Sequence, residues 1–242
     1  MALKPAQIIS NIRANYNTIA KEWDISRFRP SEVKVLFLKN AKPGMVVGDI
    51  GCGNGIIIPE LLKRKIKKYY GLDISNKLIA IAKKKYLNEV KKNKVEFKVG
   101  NALKLPYPKN KFDIIFSLAT MHHLPNEKNH LKFLQEINKV LKPGGKAVIF
   151  NWNLLNTAIR NRFESKGMLT PVKEKGYDER DVYIGWRASP GREAFRFIHI
   201  FVPEEIKKLA KKVGFKKIKT EYYSQLGKKE KNGEELVTTL IK

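Results

Sequence analysis

The 242 residues carry 49 Lys and Arg against 23 Asp and Glu, a formal charge of +26, and 43% are hydrophobic. That length and apolar content support one globular core and exclude a disordered polymer, while the charge predicts attraction to polyanions, nucleic acid first among them. One cysteine, Cys52, excludes an internal disulfide and a Cys-based zinc site. No apolar stretch reaches the length of a membrane span, and the opening residues lack a secretion signal, so a reducing, cytoplasmic setting without membrane contact is expected.

The first forty residues read as helices laid beside a sheet. MVVGDIG predicts the first strand and NGIIIPELLKRK the helix after it, with Pro59 tolerable only in its first turn. KYYGLDIS predicts a second strand. One helix follows, NKLIAIAKKKYLNEVKK, with Leu78, Ile79, Ala82, Tyr86 and Val90 at helical spacing. KVEFKVGNA and FDIIFSLAT predict strands three and four. The helix EKNHLKFLQEINKVLKPGG sets Leu131, Leu134, Ile137 and Leu141 on one face and is expected to stop at Pro143-Gly144-Gly145. KAVIFNW predicts strand five. Residues 153–194 are polar, carry Gly and Pro, and predict an irregular segment. PEEIKKLAKKVGF predicts the last helix, and KKIKTEYYSQ and ELVTTLIK two strands joined by a Lys- and Gly-bearing turn.

This alternation predicts an α/β fold on a parallel sheet. The expected organisation is a single domain over 1–242. It comprises a helical extension (1–40), a ligand-binding half (41–152), an insertion or lid (153–200), and a last helix with a hairpin (201–242).

In an open α/β sheet, ligands bind where the first strand turns into its helix. Gly51, Gly53 and Gly55 stand there and let backbone approach a ligand closely. The spacing G-C-G-N-G differs from the G-x-G-x-x-G of pyrophosphate sites, and Asp49 would repel phosphate while attracting a cation. Asp73, ending strand two, is placed to accept both hydroxyls of a ribose. Ribose, sulfonium and ammonium occur together in S-adenosyl-L-methionine, the cofactor these residues predict. Cys52, between glycines, reads as a small buried residue rather than a nucleophile.

DIGCGNG, GLDIS, GNALKLPYPKNKFDIIFSLATMHHL and EINKVLKPGGKAVIF, in that order, resemble the class I S-adenosylmethionine-dependent methyltransferases. The resemblance implies a Rossmann-like, seven-stranded, mostly parallel sheet with helices on both faces and a C-terminal antiparallel hairpin. It also implies that Asp49, Gly51 and Gly53 surround the amino-acid part of the cofactor. Asp73 and Ile74 would then meet the ribose and Asn101 and Ala102 the adenine edge, with Ala119 beside the cofactor.

A second set of segments, YNTIAKEWDISRFRPSEVKVLFL, MHHL, NW, DVYIGW and FRFIHIF, resembles the tRNA wobble-uridine methyltransferases of the Trm9/ALKBH8 type. That resemblance implies esterification of the carboxylate of 5-carboxymethyluridine in the tRNA anticodon. A carboxylate with a pKa of ~4 is anionic at neutral pH and needs no general base. The site instead needs cations, aromatic surfaces and exclusion of water.

Arg27, Arg29 and Arg196 are candidates for the cations, and Tyr16, Trp152 and Trp186 for holding the uracil. His122, after strand four, and His199 are further candidates at the reacting group, and Asp181 for orienting an arginine or capping a turn. No metal site is expected beside His122 and His123, because no third ligand stands at metal spacing.

The dispersed Lys runs suit the phosphate backbone of a folded tRNA. The resemblance further implies a small zinc-binding activator protein of the Trm112 type, docked on the edge strand around KVEFKVGNALKLPY. A small-molecule methyltransferase is the alternative, because this cofactor half serves many acceptors. A non-catalytic RNA-binding protein is a third reading, opposed by the intact glycines, Asp49 and Asp73.

Overall fold

The computed structural model describes residues 3–172, 177–189 and 192–242. Three helices come first, α1 (Pro5–Thr18), α2 (Ala20–Ser26) and α3 (Glu32–Leu38). Strands then alternate with helices: β1 (Val46–Ile50), α4 (Ile58–Lys63), β2 (Lys68–Asp73), α5 (Asn76–Lys85), α6 (Leu87–Lys91) and β3 (Val95–Val99). Next come β4 (Phe112–Leu118), a 3-10 turn at Met121–His123, α7 (Asn126–Val140) and β5 (Leu141–Trp152). An insertion of α8 (Thr157–Glu164), β6 (Leu169–Pro171), β7 (Asp181–Ser189) and β8 (Arg192–His199) precedes α9 (Pro203–Val213), β9 (Lys217–Tyr223) and β10 (Glu235–Ile241). Among the described residues no helix is long and apolar enough to cross a membrane.

The main sheet has seven strands in the order β3-β2-β1-β4-β5-β10-β9. Strands β1 to β5 run parallel, and β10 lies antiparallel to both β5 and β9. This is the expected Rossmann-like α/β sheet with its C-terminal hairpin. Strand residues alternate between two apolar layers, as a sheet covered on both faces requires. Phe112, Ile115, Ala147 and Ile149 pack with α7 and α9, while Ile114, Phe116, Val148 and Phe150 pack with α3, α4 and α5. The strand order reverses between β1 and β4, so their carboxyl ends open a crevice at the switch point.

Three elements differ from their predicted form. The described residues of 153–194 are not irregular: α8 leads into a three-stranded antiparallel sheet, β6-β7-β8. Val182, Ile184 and Ile198 on one face pack on Leu154 and Ile159, and Phe197 on the other packs with Ile8 and Ile12 of α1. The helix after Asp73 breaks at Tyr86, which leaves helical geometry at φ −113° and ψ 34° and tucks its ring beside Phe97. Helix α7 ends at Val140, before Pro143. Leu141 is already extended and pairs with Phe112, so the proline lies in a bulged lead-in to β5. The residue before proline avoids helical backbone, which favours this earlier exit.

Candidate active site

The turn after β1 is held open by its own backbone. Gly51 has φ +81°, and a Cβ there would lie 1.8 Å from Thr120 Oγ1, so only glycine fits. A Cβ on Gly53 would meet only Trp23 Nε1 at 3.6 Å, and that bare surface forms a wall of the crevice. The Gly51 and Cys52 amides donate to Leu72 O, and the Gly53 amide donates to Asp73 Oδ2 at 2.8 Å. Asp73 Oδ1 accepts from the Ser75 amide. Burial raises the Asp73 pKa, with the amides of Ser75, Gly53 and Ile74 acting in the opposite direction. Cys52 is buried, and burial pushes its thiol well up, away from nucleophilic ionisation.

Asp73, Ile74, Asn101 and Ala102 line the crevice at one end, under Ile9, Ile12 and Tyr16 of α1 and Trp23 of α2. Asn101 Oδ1 already accepts from the Leu103 amide at 2.9 Å, which fixes the side chain at the rim. Ala119 sits where this crevice meets a second cavity. It holds φ +66°, a strained value for a residue with a Cβ, and such strain concentrates at functional sites.

Asp49 faces the second cavity. Its Oδ2 accepts from the Tyr69 hydroxyl at 2.7 Å, while Oδ1 is buried without a partner among the described residues. Burial pushes its pKa up to about 7. A buried carboxylate oxygen of this kind calls for a cation or a donor. A diol acceptor at Asp73, an apolar slot at Leu72 and Leu78, and a cation-seeking oxygen at Asp49 together fit S-adenosylmethionine.

Arg196 of β8 is fully buried and lines neither cavity itself; it stands behind an aromatic box in which Trp23 faces both cavities and Trp152 the second. Its guanidinium carbon lies 5.4 Å from the ring centroids of Trp152 and Trp186 and 5.9 Å from that of Trp23. Among the described residues none of its three nitrogens closes a hydrogen bond of ordinary geometry, and the Tyr16 hydroxyl is near enough for the guanidinium to oppose the rise in pKa that burial causes there. Arg27 stacks on two of the same rings, at 4.9 Å from Trp23 and 5.7 Å from Trp186. Burial, and then the charge of Arg196, lowers its pKa. Two guanidiniums sharing one box repel each other unless an anion joins them. Arg29 is exposed at the mouth, over the Phe28 ring.

Tyr16 and His123 complete the box from the crevice side. Tyr16 meets Trp23 edge-on at 5.2 Å, and its hydroxyl lies 2.8 Å from His123 Nε2. His123 Nδ1 lies 2.7 Å from Phe197 O.

Several expected site residues are corrected by these positions. His122 lines neither cavity. It is fully buried, and its Nδ1 accepts from the Trp152 amide at 3.2 Å, so it pins the end of β5. The tight turn at Met121–His123 puts its neighbour His123 on the crevice instead. His199 and Asp181 lie in a third cleft, lined by none of the residues around Asp73 or Asp49. Side chains alternate along a strand, so Arg196 and His199 leave opposite faces of β8. Asp181 Oδ1 sits 2.6 Å from His199 Nδ1, and its Oδ2 accepts from the Asp178 amide at 2.9 Å, so it caps a turn and orients a histidine rather than an arginine. Burial opposes charge on His199, yet hydrogen bonds with Asp181 and Glu205 push its pKa up to about 9.

Trp23 and Asn54 were not expected; of the two histidines that follow strand four, it is His123 rather than the favoured His122 that lines the crevice. Asn54 Nδ2 donates to Asp24 Oδ1 at 2.7 Å and to Arg27 O at 2.9 Å, which ties the glycine turn to the loop carrying Arg27. The Asn between Gly53 and Gly55 and the Trp in the N-terminal segment were the available signals.

Residues 48–149 match the family model described as a methyltransferase domain. A tRNA (carboxymethyluridine(34)-5-O)-methyltransferase of Schizosaccharomyces pombe is 31% identical over 171 residues, 71% of this chain and 65% of that one. The match spans only 19% of a mouse relative of the same activity name. A demethylmenaquinone methyltransferase of Lactococcus lactis is 34% identical over 142 residues, 55% of each chain. Among solved structures, a chain in the complex between the Haloferax volcanii Trm112 methyltransferase activator and the putative methyltransferase has a TM-score of 0.67 at 16% identity. It covers 95% of this chain and 96% of that one, a likeness of fold.

Proposed function

We propose that this chain, which carries an S-adenosylmethionine-dependent methyltransferase domain over residues 48–149, esterifies the carboxylate of 5-carboxymethyluridine at the wobble position of tRNA. The supporting observation is Arg196, a fully buried guanidinium that closes no hydrogen bond of ordinary geometry among the described residues, enclosed by three tryptophans. A planar carboxylate satisfies it with two parallel hydrogen bonds, and the indole faces give a uracil ring a surface to stack on. The match to the fission-yeast relative supports the same acceptor.

When bound, S-adenosylmethionine supplies an electrophilic methyl group on a sulfonium. Asp73 would hold the ribose hydroxyls and Asp49 the cationic amino-acid end, while Gly51 and Gly53 leave room for that chain. Arg196 and Arg27 draw the acceptor carboxylate into the seam at Ala119, and Tyr16, Trp23 and Trp152 exclude water. No base is required, since the acceptor is already ionised. Transfer between opposite charges is favoured by an apolar, aligned site.

The surplus of basic residues supports binding of the tRNA backbone, in a cytoplasmic setting. Strand β3 lies at the sheet edge with Val99 exposed, a surface suited to an activator of the Trm112 type. The Lactococcus relative favours a second reading, a quinone-type acceptor. A neutral quinone leaves Arg196 without its anion.

An anticodon stem-loop bearing carboxymethyluridine, compared with the same loop bearing the amide, tests the proposal. Labelled methyl is expected on the acid only. Labelling of both loops, or of neither despite measured cofactor binding with an activator present, rejects it.

A further inference from the structure

His130 of α7, His199 of β8 and Glu205 of α9 come from three separate elements and offer one ligand atom each, all within 4.8 Å of one another. They line the third cleft, which shares no lining residue with the cofactor crevice. His130 is 1% exposed. Its Nε2 lies 2.7 Å from the Leu124 carbonyl, an acceptor only, so that nitrogen carries the proton. The lone pair is therefore on Nδ1, which is buried without a partner among the described residues.

His199 is held from behind by Asp181, whose Oδ1 is 2.6 Å from Nδ1. Carboxylates hold metal-ligating imidazoles in this way. The forward nitrogen, Nε2, lies 3.0 Å from Glu205 Oε1. Two ligands at about 2.1 Å from one tetrahedral ion lie roughly 3.4 Å apart, so an ion must part His199 and Glu205 by a few tenths of an ångström and draw together a triad whose ligand atoms now spread up to 4.8 Å. Both Glu205 oxygens face His199 Nε2, Oε1 at 3.0 Å and Oε2 at 3.2 Å, but Oε2 accepts from Arg180 at 2.6 Å, so Oε1 is the oxygen left for an ion. Asp178, bonded to Arg180, is a further carboxylate of the cleft, which Glu127, Glu179 and Glu204 also line.

We propose that His130 Nδ1, His199 Nε2 and Glu205 Oε1 bind one divalent cation of the zinc type, with water in the fourth position. Two imidazoles and one carboxylate match the borderline softness of that ion. The site joins α7 and α9 to the β7–β8 hairpin three residues beyond Arg196, so the ion fixes the strand that carries the acceptor arginine. This inference does not depend on the identity of the acceptor.

Calorimetric titration with Zn²⁺ of the untagged full chain, first stripped with a chelator, tests it. One equivalent is expected to bind saturably and to raise the unfolding temperature. His130→Gln and Glu205→Gln should each weaken binding at least tenfold, and Asp181→Asn about 10–100-fold. The inference is overturned if the wild-type chain shows no saturable binding, the outcome when a proton on His199 alone balances the carboxylates. It is equally overturned if folded His130→Gln binds as tightly as wild type. Should circular dichroism show that His130→Gln does not fold, Glu205→Gln decides, because Glu205 is partly exposed in the first turn of α9.

Discussion

The Tyr16 hydroxyl donates to His123 Nε2 across 2.8 Å, and the direction of that bond is fixed from behind. His123 Nδ1 faces the Phe197 carbonyl, which can only accept, so Nδ1 carries the ring proton and Nε2 must accept. Burial keeps the imidazole neutral, with its pKa lowered to about 3. The phenolic proton is thus turned away from Arg196, and the oxygen lone pairs are left to the box. Phe197 is the neighbour of Arg196 on β8, so one relay links the crevice to the acceptor strand.

Tyr16→Phe should therefore cost about 1 kcal/mol of stability, one hydrogen bond, while lowering kcat for methyl transfer roughly tenfold. Thermal unfolding and single-turnover kinetics on the same preparation would separate the two effects. Unchanged kcat would remove Tyr16 from the site.

Arg196→Met should move stability and activity in opposite directions. It replaces a buried guanidinium by an apolar chain that fits among the indoles, a change expected to be neutral or stabilising by about 1–4 kcal/mol. Methyl transfer should fall by at least about 100-fold, because the acceptor loses its charge-assisted bonds. A variant that melts lower and keeps its activity would show Arg196 to be a packing residue.

Asp49 sets a pH dependence for the cofactor. Its folded pKa, about 7, lies above the ordinary 3.8. Between those values the ligand-free folded chain holds a proton that the unfolded chain has released, so its stability falls as pH rises through that window. Binding of a cationic ligand favours the ionised form instead. S-adenosylmethionine affinity should rise about tenfold from pH 5.5 to 7, below the range where an α-amino group itself titrates. Asp49→Asn should bind weakly with a flat profile over this window, as calorimetry at several pH values would register.

Gly51→Ala and Gly53→Ala should differ in kind. The first puts a Cβ 1.8 Å from Thr120 Oγ1, and should lower stability by about 3 kcal/mol or more through overpacking and strain. The second meets nothing closer than 3.6 Å, though its φ of +53° costs an alanine about 1 kcal/mol, so the chain should fold, slightly destabilised, yet bind the cofactor weakly, its crevice wall carrying an extra methyl. Denaturant melts beside cofactor titrations distinguish the two.

The cofactor half was legible because its chemistry sits on regular elements. Gly51, Gly53 and Asp73 follow strands whose apolar runs are unmistakable, and the sheet order places them together. The acceptor side was legible only residue by residue. Arg27, Trp152 and Arg196 stand around one aromatic box, yet β7 falls in the stretch 153–194, whose polar residues, Gly and Pro predict irregular chain, and β8 extends past its end with no predicted element. Once β8 is a strand, parity decides which neighbours share a face, and His199 turns away from Arg196 into a different cleft. The exchange of His122 for His123 has a similar origin: within a single 3-10 turn, one residue of phase separates the core from the crevice.

The most direct test is nucleoside mass spectrometry on tRNA bearing carboxymethyluridine after incubation with the chain, S-adenosylmethionine and a Trm112-type activator, with uncarboxymethylated tRNA as control. The expected result is a methyl ester on the modified uridine alone, absent with Arg196→Met. A chain that binds the cofactor but yields no ester, or methylates the control tRNA equally, would contradict a carboxylate acceptor held by Arg196.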